Sequence, residues 1–527
     1  MLYILAILLY IAMIGFVAYI SKNKIKGFSD FFLGGRSVNP WMSAFSYGTA
    51  YFSAVLFIGY AGKIGWGFGM SALWIVLGNA LLGCYLAWGI LGKKTREMTQ
   101  RLNISTMPEF LEIRYNNKKL KAVTSFIIFL FLVPYSASVY KGLGYLFEQI
   151  FGIPTIYVLL LMTTLTGLYL YFGGFVAATL ADFIQGIIML IGVALMLFFV
   201  VGTSTVGGID NVIPALYSIS PQLVDPVGPP GFVALASLVI LTSLGTWGLP
   251  QMIHKFYTIK DEKSVKCAKW VSTFFALIIS FGAYFMGVLG RLFFPTAPPT
   301  YMGLPTFDMI IPTMVDTALP NWVAAIILVL VLSASMSTLA SLVLASSSAV
   351  VVDFLKEMKP NITGTELMKT MRIVCLMFVI LSFILAIFPT PIISLAALSW
   401  GLVSGCLLAP YALGLYWRGT TVKGVWAGII TALVVMLGGS AVVGLNSSLI
   451  PTLSAISIVL PIFVVYFVSL FTKKMDKRYL DYIYDTGFNS ENKNNDNRNG
   501  NGNDFNLENH EIPEKVNIRY KKIDNKE

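Results

Sequence analysis

A run of about 20 apolar residues can cross the hydrocarbon core of a bilayer, and this chain of 527 residues is built from such runs laid end to end. Thirteen are legible, at roughly 2–20, 40–65, 67–92, 122–150, 154–172, 176–202, 231–253, 270–295, 321–352, 373–388, 391–416, 425–444 and 451–472. Only 12% of the residues are charged, against about 25% in an ordinary soluble chain. So little polar surface cannot keep these segments in water. The pattern predicts an all-α polytopic membrane protein with about 13 transmembrane helices and excludes a soluble enzyme. The first run has no basic residues before it and no small-residue cleavage site after it, so it reads as a helix and not as a leader.

The net charge of +11 looks at first like an affinity for nucleic acid. Its distribution says otherwise. Residues 473–527 hold 11 basic and 11 acidic side chains, so the excess lies wholly among the apolar runs. There the loops 21–39, 93–121, 254–269, 353–372 and 417–424 carry 23 of the 26 Lys and Arg, and alternation puts all five on one side. By the positive-inside rule that side is cytoplasmic, with the N-terminus outside and the C-terminus inside a plasma membrane. The bilayer, and no nucleic acid, is the expected large partner. Lys63, Lys141 and Arg291 break the pattern. Four scattered Cys and two His offer neither a zinc site nor a triad, and no catalytic residue is expected. Ten of the 21 residues from Asn489 to Asn509 are Asn, which predicts a disordered tail with no room for a sensor module.

Three constellations interrupt the apolar runs. Asp182, three residues before Gln185 and on the same helix face, is a carboxylate within a span, where an ionised group is costly and so a functional candidate. A boundary Asp bonded to loop backbone is the alternative. In the ninth run Ala334, Ser337, Thr338 and Ser341 share one helix face. Their oxygens suit a sodium ion, but on spacing alone a small-residue packing seam is the simpler reading. In the second run Gly48, Thr49, Ala50 and Ser53 interrupt the helix, and Gly245, Gly248 and Pro250 do the same in the seventh. Breaks at corresponding positions of two five-helix sets predict an inverted repeat with a binding site between the unwound segments.

At FFLGGRSVNPW, GGFVAATLADFIQ, GLPQMIHKFYTIKDEK and MSTLASLVLASSSAVVVDF, in that order and spacing, the chain resembles the sodium:solute symporter family. That group includes sodium/proline, pantothenate-like, sialic-acid and sodium/sugar cotransporters. The resemblance runs from about residue 3 to 472. It implies a leucine-transporter-like fold of two inverted five-helix repeats and alternating access driven by sodium. The implied organisation is a first helix and loop (1–39), the first repeat (40–202), an extracellular loop (203–230), the second repeat (231–416), two peripheral helices (417–472) and the tail (473–527). It further implies a monomer, and a main sodium site from the carbonyls of Thr49, Phe52 and Ala334 and the hydroxyls of Ser337 and Thr338, which reverses the packing-seam reading.

A second sodium site, found in some members, would use Asp182, Ser337 and Ser341. Here Ala340 lacks one expected hydroxyl. Tyr51 stands where sodium/proline symporters carry Asp. Around the breaks, Tyr51, Ser53, Tyr135, Lys141, Thr242, Thr246 and Trp247 are the substrate-binding candidates. Thr242 and Thr246 replace two aromatic residues of the proline carriers, which argues against proline itself. Neither the Arg of sialic-acid carriers nor the Lys of sugar carriers is found. The stretch GLPQMIHKFYTIKDEK resembles pantothenate-like and monocarboxylate-like members most, which favours a small organic carboxylate or amino acid over a sugar or sialic acid, and proton coupling stays open. For Lys141 the partners in view are Glu148, a neighbouring helix, a substrate carboxylate or the outer surface. A channel would need a repeated pore loop, and none is legible.

Overall fold

The computed structural model describes residues 1–22, 32–301, 303–355, 358–359 and 362–484. Backbone in lipid has no water to bond, and a helix pairs its N–H and C=O groups within one segment. The apolar runs accordingly become helices, with one short hairpin, Thr300–Tyr301 against Leu304–Pro305, among the described residues. Ten of these helices are long and apolar enough to cross a membrane. The number rises to eleven if Phe232–Gly248 and Pro250–Thr258, bent by 48°, form one broken span. The expected thirteen differ for two reasons. Runs 40–65 and 67–92 meet in one helical stretch, Val55–Arg101, and Thr155–Gly167 is shorter than a span. At 47 residues the stretch Val55–Arg101 is too long for one crossing, since ~70 Å exceeds the ~30 Å core twofold. It is interrupted at Gly69, whose φ of +59° suits glycine alone.

Burial sorts the helices. Asn321–Leu355 and Ile392–Tyr416 are about nine-tenths enclosed by protein (89% and 94%), whereas Leu2–Ser21 is 22% buried. That first helix turns Leu5, Leu8, Leu9 and Phe16 outward, as a lipid-facing helix should. At the interior, helix Glu262–Phe293 crosses Val55–Gly65 so closely that a Cβ on Gly287 would lie 1.7 Å from the Ala61 carbonyl oxygen. The peripheral helix Ile450–Leu470 lies on Ile392–Tyr416, where Ser454 and Ser457 hydroxyls donate to the Ala397 and Gly401 carbonyls, each at 2.8 Å.

Two helices are broken. The first starts at Asn39–Pro40: the Asn39 side chain accepts the Trp41 N–H at 2.9 Å, and proline takes the first helical position, where no N–H is needed. It unwinds at Phe52 (φ −108°, ψ 104°) and resumes at Val55. Ser53 caps the second half, its hydroxyl accepting the Val55 N–H at 3.2 Å and its carbonyl the Leu56 N–H at 2.9 Å. The second break falls at Leu249, extended at φ −83° and ψ 120° because Pro250 disfavours helical geometry in the residue before it.

The ends of the two broken helices that face the basic loops are joined. Val38 N–H donates to the Thr258 carbonyl and Lys260 N–H to the Val38 carbonyl, each at 3.2 Å. Arginines reinforce the same side by donating to backbone carbonyls: Arg36 to Ile104 (2.6 Å), Arg96 to Ile259 (3.1 Å), Arg101 to Tyr482 (2.8 Å) and Arg114 to Gly414 (3.0 Å). At the opposite end, helix Ile310–Ala318 and the hairpin before it are pinned to helix Lys118–Phe151. Tyr301 donates to Glu148 and Gln149 to Asp316, both at 2.9 Å.

Two expectations are corrected. The expected loop 254–269 begins too early, because Pro250–Thr258 is helical and buries His254 between the Phe32 and Phe175 rings and Lys255 among polar side chains. The tail beyond 473 starts as a docked helix, Lys477–Tyr484, held by Arg418 to Asp481 at 2.7 Å and by Arg114 to the Tyr484 hydroxyl at 2.9 Å. The Asn-rich stretch expected to be disordered lies outside the described residues.

Candidate functional site

Thr49 and Ala50 sit on the last turn of Pro40–Tyr51, just before the helix unwinds. Carbonyls there lose their partners four residues on, which leaves oxygens free to point elsewhere. Helix Asn321–Ser348 brings Ala334, Ser337 and Thr338 against them. The Thr338 hydroxyl lies 3.1 Å from the Thr49 carbonyl, 3.4 Å from that of Ala50 and 3.0 Å from that of Ala334. The Ser337 hydroxyl donates to the Thr49 hydroxyl at 2.7 Å. All five residues are buried. The result is a compact set of hard, uncharged oxygens, the donor chemistry a small alkali cation takes. Four of the five expected main-site residues are thus brought together. Phe52 lies at the break itself, with its N–H on the Gly48 carbonyl at 3.1 Å. The Ala50 carbonyl joins the group unannounced.

One turn away lies a second polar cluster. Ser46, on the same face as Thr49, donates to Asp182 on the facing helix Phe175–Val201. Ser341, one turn beyond Ser337, accepts from the Lys255 ammonium at 3.2 Å. The same ammonium lies 3.8 Å from Asp182 Oδ2 and over the Phe175 ring at 5.2 Å. Asp182 Oδ1 has no hydrogen-bond partner. Asp182 and Ser341 therefore converge as expected, with Lys255 between them. Gln185 faces away from this cluster and donates to the Tyr10 hydroxyl at 2.8 Å. Ser46 and Lys255 carried no warning in the sequence. Lys255 sat in a run of basic residues that read as a loop, and a lone serine in an apolar run has no distinguishing pattern.

Beside the first break is a cavity with an empty volume of ≈ 320 Å³, lined by Tyr51, Phe52, Ser53, Tyr60, Asn79, Tyr135, Thr242, Tyr284 and Trp400 among others. No lining residue is charged. Both broken helices and helices Lys118–Phe151, Glu262–Phe293 and Ile392–Tyr416 contribute to it. Tyr51 spans the wall, donating to the Thr242 carbonyl at 2.6 Å and to Asn79 at 3.0 Å. Trp400 meets Tyr135 edge-on at 5.5 Å. Of the substrate candidates, Tyr51, Ser53, Tyr135 and Thr242 face this cavity. Thr246 and Trp247 are turned to the carbonyls of Ser243 (2.8 Å) and Leu82 (2.9 Å) instead. Lys141 is remote from it and donates to the carbonyls of Phe388 and Thr390 at the far end of the bundle. Glu148 partners Thr155 and Tyr301, not Lys141.

Comparison with known proteins gives this arrangement a family. Residues 31–432 match the sequence model of the Sodium:solute symporter family. Among curated relatives, the chain is 30% identical to a sodium/pantothenate symporter of Haemophilus influenzae, over 82% of this chain and 88% of that one. It is 31% identical to the sodium/pantothenate symporter of Escherichia coli, over 81% and 88% respectively. With a sodium/proline symporter of Staphylococcus aureus it shares 28% identity over 81% of this chain and 83% of the relative. Among solved structures, a Na+-coupled sialic acid symporter in a substrate-bound outward-open state superimposes with a TM-score of 0.72 at 18% identity, covering 90% of this chain and 99% of that one. The fold is thereby the leucine-transporter-like arrangement of two inverted five-helix repeats, and the described helices are those of a multi-pass membrane transporter, not an enzyme. On the family match and on relatives that align over most of their length, the chain belongs to the sodium:solute symporter family.

Proposed function

We propose that this sodium-coupled symporter imports a small organic carboxylate or amino acid, with one sodium ion held by Thr49, Ala334, Ser337 and Thr338. The observation that carries the reading is the Thr338 hydroxyl, within 3.4 Å of carbonyls on both sides of the contact between the first broken helix and helix Asn321–Ser348. A cation among those oxygens joins the two helices. Its departure frees them, so the ion favours one state over the other, as coupling requires.

The cavity beside the break supports the solute class. It lies against the unwound segment at Phe52–Ser53 and is walled by aromatic rings, leaving room for a small solute only. Its polar groups are the hydroxyls of Ser53, Thr242, Tyr51, Tyr60, Tyr135 and Tyr284, the Trp400 indole N–H and the amide of Asn79. A carboxylate there would be met by hydroxyls, by the unwound backbone at Ser53 and by the neighbouring sodium, with no Arg or Lys in the wall. Relatives named for pantothenate and proline, each bearing a carboxylate, favour the same class. The chain would act as a monomer, since one chain supplies every oxygen of the cage. The lysine-rich loops favour a cytoplasmic C-terminus and an extracellular N-terminus.

The test is a thermal-stability screen of the purified protein against amino acids, monocarboxylates, sugars and sialic acid, with and without sodium. A ligand that binds the native state raises the melting temperature by mass action. A carboxylate that shifts it only in the presence of sodium is the expected result. A shift confined to sugars, or one independent of sodium, would overturn the reading.

A further inference from the structure

We infer that Lys255 is a tethered cation standing where a second sodium ion would bind, so that the chain carries a single sodium per cycle. The inference rests on the sodium-coupled reading of the Thr49–Thr338 contact. It begins with position. The residues whose oxygens would form a second cage, Asp182 and Ser341, already share one positive group, the Lys255 ammonium at 3.8 Å and 3.2 Å. Both members of the ion pair are buried, with side-chain exposures of 3% for Lys255 and 1% for Asp182. A buried carboxylate needs a compensating charge, and here the chain itself supplies it.

The oxygen count points the same way. Ala340, buried beside this cluster, has no hydroxyl to offer, so a bare ion would find one oxygen fewer here. An ammonium needs fewer acceptors than a naked cation, since it carries its own three donors and also rests on the Phe175 ring. A sodium ion added to this cluster would set two positive charges a few ångströms apart against one carboxylate. Their repulsion in a poorly screened interior disfavours simultaneous occupancy.

The tether gives the arrangement a role beyond charge balance. Lys255 rides on Pro250–Thr258, the half-helix beyond the second break, while Asp182 lies on Phe175–Val201 and Ser341 on Asn321–Ser348. A second sodium would clamp these helices only while bound. A lysine clamps them throughout the cycle and draws nothing from the sodium gradient.

Equilibrium binding of radiolabelled sodium to the full-length, detergent-purified protein tests this directly. Wild type should bind one sodium per chain at saturation. Lys255→Met, which keeps the side-chain length and removes the charge, should bind two, and Lys255→Met with Asp182→Asn should return to one. Lys255→Arg, which retains the cation, should stay at one and serves where the Met variant is unstable. Two sodium ions on wild type, with one lost in Asp182→Asn, would overturn the inference while leaving the Ser337–Thr338 site standing. A Lys255→Met protein that melts as wild type does and still binds one would overturn it too. No sodium on wild type would overturn the main-site reading and this inference together.

Discussion

Single atoms decide whether sodium is held. Ser337 contributes one hydroxyl and contacts Thr49 directly at 2.7 Å, so Ser337→Ala removes an oxygen without disturbing the helix. A hydrogen-bonding group of this kind is worth about 1–1.5 kcal/mol, which corresponds to roughly a tenfold rise in the sodium concentration for half-maximal uptake. An unchanged sodium curve would remove Ser337 from the site. Tyr51→Phe keeps the ring that stacks on Phe52 at 4.3 Å but deletes the hydroxyl joining Asn79 to the second broken helix. It should lower unfolding stability by about 1–2 kcal/mol, read as a drop in melting temperature. That Thr49, Ala334, Ser337 and Thr338 meet was legible beforehand, because hydroxyls at helical spacing leave a pattern and the family resemblance pairs them. The Ala50 carbonyl was not, since a backbone ligand has no side-chain signature. Lys255 was hidden for another reason: a lysine counted within a charged loop looks solvated until its helix is folded against Asp182.

Among the elements, the broken helices show how far local chemistry can be read. The second break was expected across Gly245, Gly248 and Pro250 and falls at Leu249, because a missing N–H and a ring clash act locally. The first break was expected over Gly48, Thr49, Ala50 and Ser53 and falls at the far end of that stretch, Phe52–Ala54. Gly48 serves a different purpose, since a Cβ there would come within 2.3 Å of the Phe275 ring. Its smallness admits a neighbouring aromatic side chain, a tertiary demand that cannot be told from a helix breaker in one dimension. The same distinction yields a test. Gly287→Ala would push a methyl into the Ala61 carbonyl, 1.7 Å away on the crossing helix, and backbone cannot give way as a side chain can. A loss of about 1–3 kcal/mol in unfolding stability is expected. Gly15→Ala, with nothing within 4 Å, should leave the melting temperature unchanged. Equal effects at both positions would mean that the crossing is not tight.

Across the whole molecule, charge is distributed differently at the two ends of the bundle. Near the hairpin end, Asp308 lies outside the spans, with burial pushing its carboxyl up to about 6 against the pull of the Ile392 N–H, Lys63 and Lys141. A carboxyl raised above its ordinary ~3.9 binds its proton more tightly in the folded state. Its stabilising share is therefore complete below pH ~4 and disappears as pH rises through ~6. Relative to Asp308→Asn, wild type should lose on the order of 2–3 kcal/mol of stability between pH 4 and 7. Parallel melting curves of the two proteins over that range would show that Asp308 does not titrate there. At the other end the arginines bind carbonyl dipoles, which do not titrate, so no comparable pH response is expected from them. The net charge of +11 suggested a sidedness, but not that these guanidinium groups tie helix ends together. The two main-chain hydrogen bonds between Val38 and the Thr258–Lys260 segment carry a mechanical consequence. They yoke Pro40–Tyr51 to Pro250–Thr258, so the two half-helices form one lever with two arms. In the proposed scheme sodium would grip one arm through Thr49, while the Lys255 ammonium, 3.8 Å from Asp182, holds the other. A cation arriving on the first arm is therefore felt on the second, through those main-chain bonds and the Tyr47 and Phe256 rings stacked 5.8 Å apart.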